Sequence, residues 1–511
     1  MITDWSRQGW SALSALGPAG RRTILLACRL AVLPLLSGCI LSAEKADPAL
    51  DIPSSYREPH SAANSHLPAA DWWRGFKSAE LDGLMDQAQI GNLDIAVAIA
   101  QIVQSDALSK QAEAPLFPTL TTSPSDTRSR TSSRTGTNVI SVTDRTLYIA
   151  PLSASYVVDF WGKNRANLRA AEETAVASRY NREVVALTTE MTVANDYFTI
   201  LASQDRVRIA RENYTAANRI LKLIRDRFHS GTAADLDVAQ QEALTETVQA
   251  SIPPLIETVH QNIDALAVLV GKAPEQVTIH GGSLTRLKLP QVSPGLPSAL
   301  LWQRPDVRQA EATLASSDAS VEAARAAFFP NITLTASGGF ESAMLRTLFA
   351  PGAGFYSAAV GLTQPIFDGG LLMGEFDQQK GIQEQNLQTY RKTVISAFSN
   401  VDQALIAIRE TTEQERYQTE VVSSSRRAFN LTEDRLRAGT VDMTTVLQTE
   451  QTLFTAEDTL AQVRLARFEA YVSLFEALGG GWQINPATEL ASTTEDHASH
   501  SDHHGSSDSS R

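Results

Sequence analysis

The chain has 511 residues, of which 43% are hydrophobic and 20% are charged, and its formal net charge is −13. This balance is typical of a folded protein, and the excess of acids argues against nucleic acid as a partner. The only two cysteines, Cys28 and Cys39, exclude a disulfide scaffold and a cysteine-based zinc cluster.

The N-terminus has the pattern of an export signal. An apolar run, residues 23–36, follows two arginines and ends in Leu36-Ser37-Gly38-Cys39. A basic region, an apolar region and small residues before a cleavage point define such a signal, and the last four residues resemble a bacterial lipobox. We therefore predict a lipoprotein signal peptide over 1–38, with diacylglycerol and an N-acyl chain on Cys39. Residues 39–70 are predicted to form a lipid-anchored tether; the alternative is an ordinary signal peptide that contains a cysteine.

The rest of the chain repeats itself. Asp226-Arg227…Gly231-Thr232 recurs 208 residues later as Asp434-Arg435…Gly439-Thr440, and Phe117-Pro118 recurs 212 residues later as Phe329-Pro330. Two nearly equal spacings indicate an internal duplication. We predict a first repeat over 71–295 and a second over 296–482.

Each repeat has the same predicted order of elements: a helix, a pair of strands with alternating polarity, and a helical hairpin. The strands cover about 119–160 and 331–368, and the hairpins cover about 165–271 and 372–479. The first helix of each hairpin is nearly free of glycine and proline over about 62 residues, which corresponds to about 90 Å. A compact globular core cannot house two such helices. No stretch of eighteen apolar residues follows the leader, so any membrane crossing must be by strands.

Five short motifs occur in order along the two repeats: Asp71-Trp72-Trp73, Gly91-Asn92-Leu93-Asp94, Arg304-Pro305-Asp306-Val307-Arg308, Phe329-Pro330 and Gln364-Pro365-Ile366-Phe367-Asp368-Gly369. Together they resemble the outer-membrane factors of tripartite RND efflux pumps, in the NodT-type lipoprotein branch of the TolC-like family. The resemblance implies a mixed α/β membrane protein that assembles as a homotrimer. Each chain would lend four strands to one twelve-stranded outer-membrane β-barrel, continued by a long periplasmic α-helical barrel.

The function implied by the resemblance is the outer-membrane channel of a tripartite RND pump, which passively conducts drugs or other small molecules to the exterior. Its expected partners are a periplasmic membrane-fusion adaptor, an inner-membrane RND pump and outer-membrane lipid, with no nucleic acid. The sequence contains no nucleophile elbow, zinc-binding HExxH or P-loop, so we predict no enzymatic activity and no cofactor beyond the lipid. The alternatives are a metal-ion efflux or type I secretion duct of the same fold, and a non-channel periplasmic coiled-coil scaffold lipoprotein.

Two groups of residues are candidate sites by the same resemblance. The turns between hairpin helices would be periplasmic tips that contact the adaptor, although every helical hairpin needs such a turn: Arg227, Gly231, Thr232, Arg435, Gly439 and Thr440. Just inside them a narrow gate ringed by acids would favour cations, with these candidates: Asp235, Asp237, Asp442, Gln448 and Glu450. Because Gln448 stands where the family commonly has aspartate, Asp237 is the first choice. The alternative is that these side chains simply face solvent.

The remaining motifs carry structural expectations. Arg304-Pro305-Asp306 is predicted to begin a helix, and Trp72 and Trp73 are predicted to pack within the helical part. The Ser/Asp/His-rich tail, 483–511, is predicted to be disordered. Its four histidines are only weak metal-ligand candidates, because a disordered tail does not preorganise a site: His497, His500, His503 and His504.

Overall fold

The computed structural model describes residues 49–50, 69–130, 144–290 and 302–482. The chain divides into two compact units, and each unit draws on both repeats. Within the described residues, Gln111–Ala170 and Ser317–Gln383 hold all of the strands, whereas the helical unit comprises Asp47–Lys110, Ala171–Ser316 and Glu384–Arg511. Cys39 and the four tail histidines lie outside the described residues.

Eight α-helices lie wholly within the described residues, and α3 and α7 are 67 residues long each. Helix α3 begins within two residues of the predicted start of the first hairpin and runs unbroken to its tip, because its interior lacks the glycine and proline that would end it. None of the helices in the described ranges is long and apolar enough to cross a membrane. The helices are α1 (Ala79–Gly91), α2 (Leu93–Glu113), α3 (Lys163–His229), α4 (Asp235–Ala250), α5 (Ile252–Leu269), α6 (Pro305–Ala326), α7 (Leu371–Arg437) and α8 (Met443–Ala477).

The two hairpins differ in their returning arm. In the first repeat the arm is split at Ser251 into α4 and α5, just before Pro253-Pro254, whereas α8 runs unbroken for 35 residues. Proline has no backbone N–H, and its ring collides with the carbonyl of the preceding turn. The two prolines therefore account for the break in the helix.

The strands form one antiparallel meander. The order is β1/β2–β3–β4–β5, in which β1 and β2 both pair with β3 and act as one edge strand, so the sheet is four strands wide. The strand β5 ends at Thr363, two residues before a proline that cannot donate a ladder hydrogen bond. The strands are β1 (Thr119–Thr122), β2 (Ser125–Arg130), β3 (Asp144–Val158), β4 (Asn331–Ser342) and β5 (Gly354–Thr363).

The two faces of this sheet have opposite character. Cross-strand partners share a face, and the register aligns Leu334 with Tyr156 on one side and Val360 on the other. This apolar face also carries Leu120, Leu152, Tyr356 and Leu362, all of them exposed. The opposite face is rich in hydroxyls: Thr119, Thr121, Ser153, Ser155, Thr333, Thr335, Ser337 and Ser357. The alternation of apolar and polar residues predicted from the sequence therefore produces a sheet with one apolar and one polar face.

The helical unit has an aromatic core. Trp72 and Trp73 are each 3% exposed, and Trp72 stacks on Phe475 with ring centroids 4.8 Å apart. Phe76 ends the short 3₁₀ helix that begins at Trp72, and its ring packs on Phe198 of α3 with ring centroids 4.9 Å apart. The tryptophan motif therefore contributes packing, as predicted.

The end of each returning arm is bonded by the side chain of a residue at the start of a helix, and we call this contact the junction; it occurs once in each repeat. In the first repeat the Asn92 side chain accepts from the Ile95 amide (3.0 Å) and donates to the Leu269 carbonyl at the end of α5 (2.9 Å). In the second repeat the buried Arg304 donates to the Ala477 carbonyl at the end of α8 (3.1 Å) and is held by a bidentate bond to Asp306. Asn92 and Arg304 are 212 residues apart, the same spacing as the two Phe-Pro motifs. Arg304-Pro305-Asp306 begins α6 as predicted, and its arginine also caps α8.

Candidate functional site

Both hairpin tips use the same backbone turn. Gly231 has φ +70°, a left-handed conformation that glycine adopts without a steric penalty. The amide and the hydroxyl of Thr232 both donate to the Arg227 carbonyl, at 2.8 and 3.1 Å, which satisfies an end carbonyl of α3. The second tip repeats these bonds at 2.9 and 3.3 Å with Arg435, Gly439 (φ +71°) and Thr440.

The two tip arginines differ in what they bind. Arg227 donates to the Leu436 carbonyl in the last turn of α7 (2.9 Å), so it ties one tip to the other. A cation at this end of a helix is favoured by the free carbonyls there. Arg435 is exposed, and its guanidinium makes no hydrogen bond or ion pair with the described residues. The first tip therefore uses its arginine internally, and the second presents it to solvent.

Two gate candidates act as helix caps. The Asp237 carboxylate accepts from the Ala234 amide (3.0 Å), and the Asp442 carboxylate accepts from the amide (2.9 Å) and hydroxyl (2.7 Å) of Thr445. Ala234 and Asp442 are 208 residues apart, as are Asp237 and Thr445, so the two repeats each retain one half of a capping box. The bonds from Thr445 hold the pKa of Asp442 below its usual range.

The other gate candidates are not brought together. Asp235 and Gln448 are exposed near the first turns of α4 and α8. Glu450, by contrast, is fully buried and accepts from the Gln241 amide nitrogen (3.0 Å), so within this chain it faces no open passage. Burial is the main cause that raises the pKa of Glu450 to about 7.

The partner of Glu450 is a functional candidate that the sequence analysis missed. Gln241 is also fully buried, between α4 and α8. Val238, Gln241, Thr245 and Val248 follow the three- and four-residue spacing of a buried helix face. A glutamine on an otherwise buried helix face is the sequence signal that indicates a buried polar contact at Gln241.

Ion pairs further join the two hairpins along α3. Arg219 makes a bidentate bond to Glu433 of α7 (3.0 and 3.1 Å), and Arg437 donates to the same carboxylate (2.6 Å). Arg206 binds Asp458 of α8 in the same way (2.6 and 3.1 Å). In the described part of the chain, no group of His, Cys, Asp and Glu side chains could hold a metal ion.

Comparison with known proteins agrees with the duplicated architecture. A sequence model of the outer membrane efflux protein family matches this chain twice, over residues 84–272 and 296–480. The pyoverdine export outer membrane protein OpmQ of Pseudomonas aeruginosa is 37% identical over 453 residues, which cover 88% of this chain and 95% of that protein. The toluene efflux pump outer membrane protein TtgC of Pseudomonas putida is 31% identical over 471 residues, covering 90% and 96%.

Solved structures share the fold. The outer-membrane channel OprN superposes with a TM-score of 0.79 at 24% identity, covering 86% of this chain and 99% of that one. The open state of the MtrE outer membrane channel of Neisseria gonorrhoeae gives a TM-score of 0.75 at 27% identity, covering 86% and 97%. With both repeats matched by the family model, this chain belongs to the outer membrane efflux protein family, and it is an efflux channel protein of the outer membrane rather than an enzyme.

Proposed function

We propose that three copies of this chain form a passive exit duct of a tripartite RND efflux pump. The observation that carries the proposal is the sheet: one face is apolar and exposed, and its two edge strands pair with no other strand among the described residues. In lipid, an open edge leaves backbone groups without hydrogen-bond partners, so a spanning sheet must close. Four strands are too few to close, because the smallest outer-membrane barrels have eight. Three copies supply twelve.

The helical hairpins are proposed to form the periplasmic part of the duct, with the tips meeting a membrane-fusion adaptor. The exposed Arg435 supports this role, because its guanidinium is free to bind a carbonyl or carboxylate of a partner. Cys39 is proposed to carry the lipid that anchors the chain at the outer membrane. The cargo is proposed to be a small molecule; pyoverdine and toluene are the cargoes named for the two relatives.

The barrel is tested by placing the same charge on the two faces of one strand. Val360 lies on the apolar face, and its neighbour Ala359 lies on the other. An arginine on the lipid-facing side of a membrane strand costs about 2–4 kcal/mol at mid-depth, whereas one facing the lumen costs little. We expect Val360→Arg to lower the yield of heat-resistant trimers in the outer membrane several-fold, and Ala359→Arg to leave it near wild type.

Channel activity is measured on the same proteins in planar bilayers. Purified wild-type protein and Ala359→Arg are expected to give discrete conductance steps. Equal yields for Val360→Arg and Ala359→Arg would contradict the barrel, and folded wild-type protein without conductance would favour the scaffold alternative. A metal-ion or secretion duct would conduct as well. Those alternatives are distinguished by whether a strain that lacks this protein fails to export small molecules, metal ions or a secreted protein.

A further inference from the structure

The pair Gln241–Glu450 joins the returning arms of the two hairpins inside the tip region. Gln241 belongs to α4 of the first repeat, Glu450 belongs to α8 of the second, and neither side chain has measurable exposure. Both side chains lie within one chain, so their burial does not depend on the proposed trimer. Apolar residues from α3, α4, α7 and α8 form the surrounding cluster: Ala217, Ile220, Ile224, Val238, Val248, Phe429, Leu436, Val446, Leu453 and Phe454.

The hydrogen bonds of this pair are incomplete in a specific way. The Gln241 amide nitrogen donates to the Glu450 Oε2 (3.0 Å) and to the Ala217 carbonyl (3.4 Å), so both of its N–H groups are used. The two oxygens that remain, Gln241 Oε1 and Glu450 Oε1, are buried and have no donor among the described residues. A proton on the carboxyl supplies the one donor that the pair lacks. A buried acceptor without a donor carries a desolvation penalty, so the neutral acid fits this site better than the carboxylate.

We propose that Glu450 and Gln241 form a proton-dependent clasp between the two hairpins: the protonated acid holds the arms together near the tips, and loss of the proton loosens them. In the closed clasp the acid O–H donates to the amide oxygen while the amide N–H donates to the acid. When the proton leaves, the carboxylate keeps the bond from the Gln241 amide nitrogen, but its Oε1 and the Gln241 Oε1 both lack a donor. The buried charge is then stabilised by opening of the arms toward water.

The charged groups that face Glu450 do not replace the proton. Arg219 of α3 lowers the pKa of Glu450, but its guanidinium is already bound by Glu433 of α7, which raises that pKa. Arg437, also of α7, donates to Glu433 as well (2.6 Å). The two buried side chains of α4, Gln241 and Thr245, are both neutral. On α8 itself, the buried Glu457 lies seven residues, about two turns, beyond Glu450 and is bound by Arg426.

The direction of the pH effect follows from proton linkage. The pKa of Glu450 is about 7 in the packed arms, against an ordinary value of 4.5 for a solvated glutamate. The packed state binds the proton more tightly, so its extra stability is complete below the ordinary value and is lost as the pH rises through about 7. Between these two values, the ratio of open to closed arms rises by up to about tenfold per pH unit.

Amide hydrogen exchange on the full-length protein in detergent tests the clasp without using channel activity. The readout is the protection of α4 and the first turns of α8, compared between wild type and Glu450→Gln at each pH so that the intrinsic exchange rates cancel. Wild type is expected to lose protection, relative to the variant, by up to about tenfold per unit over about pH 5–7. Glu450→Gln keeps a neutral donor and acceptor at this place, so its opening is expected to be independent of pH in that range.

The chain offers a matched control in Glu190 of α3, which accepts from the Gln89 amide nitrogen (2.9 Å) and whose pKa burial also raises to about 7. Glu190→Gln is expected to leave the pH dependence of α4 and α8 unchanged. A third variant, Gln241→Met, removes the amide and is expected to lower protection of both segments at every pH. The proposal is overturned if wild type and Glu450→Gln lose protection in parallel, or if Gln241→Met protects these segments as well as wild type.

Discussion

The two repeats make the same contacts with different side chains. At the junctions, Gly271 and Gly479 both adopt positive φ, and a Cβ on either would collide with a backbone carbonyl oxygen, of Gly91 and Gln303 respectively. The side chains that close the junctions are nevertheless an amide in the first repeat and a guanidinium in the second. Where two backbone segments touch, both repeats use glycine. Where a side chain must bond the last carbonyl of the returning arm, the repeats use different residue types.

The largest expected effect tests the shared part of this comparison. Gly271→Ala and Gly479→Ala each force a side chain into a left-handed conformation and into a backbone oxygen, so each is expected to cost about 3 kcal/mol or more. Gly381→Ala is the control, because this helical glycine has open space around it, and it is expected to be neutral or slightly stabilising. Thermal unfolding of the three variants measures the difference. Wild-type stability in either junction variant would show that the repeats do not depend on this close approach.

A smaller effect is expected for the side chains that differ between the junctions. Arg304→Met removes a buried charge and leaves Asp306 and the Ala477 carbonyl without their partner, at a cost of about 3 kcal/mol. Asn92→Ala removes two hydrogen bonds of a neutral cap and is expected to cost about 1–2 kcal/mol. Denaturant unfolding gives both values, and a larger loss for Asn92→Ala would reverse the ranking.

The smallest effect on stability is expected at the tips, where the gate is tested. Asn can still accept from the Ala234 amide, so Asp237→Asn keeps the cap and removes only the charge. If three copies of Asp237 ring the passage, the preference for cations is expected to fall, as measured by reversal potentials in a salt gradient. Asp442→Asn is the matched change in the second tip. Unchanged cation selectivity in Asp237→Asn would show that Asp237 acts only as a helix cap.

The helices and strands follow from local patterns. The first arm of the first hairpin contains no glycine or proline, and that of the second contains only Gly374 and Gly381 near its start, so their ends at Gly231 and Gly439 are visible in the sequence. The alternation around Leu334 sets the two faces of the sheet in the same way. The split of the first returning arm has a local cause as well, since Pro253-Pro254 acts on its own helix.

The contacts between the repeats were not predictable from the sequence. The bond from Arg219 to Glu433 spans 214 residues, and nothing in either segment specifies the other. The family resemblance made Glu450 a gate candidate, but its position on the apolar stripe of α8 places its side chain in the core of this chain. Which candidates line a passage depends on neighbouring chains, and a single sequence does not encode their placement.

The central pairing of the sheet has a consequence for how copies of the chain join. Because β3 of the first repeat pairs with β4 of the second, the open edges belong to different repeats: β1/β2 at one side and β5 at the other. In any closed ring of identical chains, β5 of one copy therefore meets β1/β2 of the next, which is a head-to-tail contact with one sense of rotation. These two edge strands run antiparallel to each other, so the alternation of strand direction passes unbroken from copy to copy. A two-fold dimer that pairs β5 with β5 would leave the β1/β2 edge of both copies open, and the reverse holds for a dimer through β1/β2. The order of the four strands therefore directs assembly toward a ring.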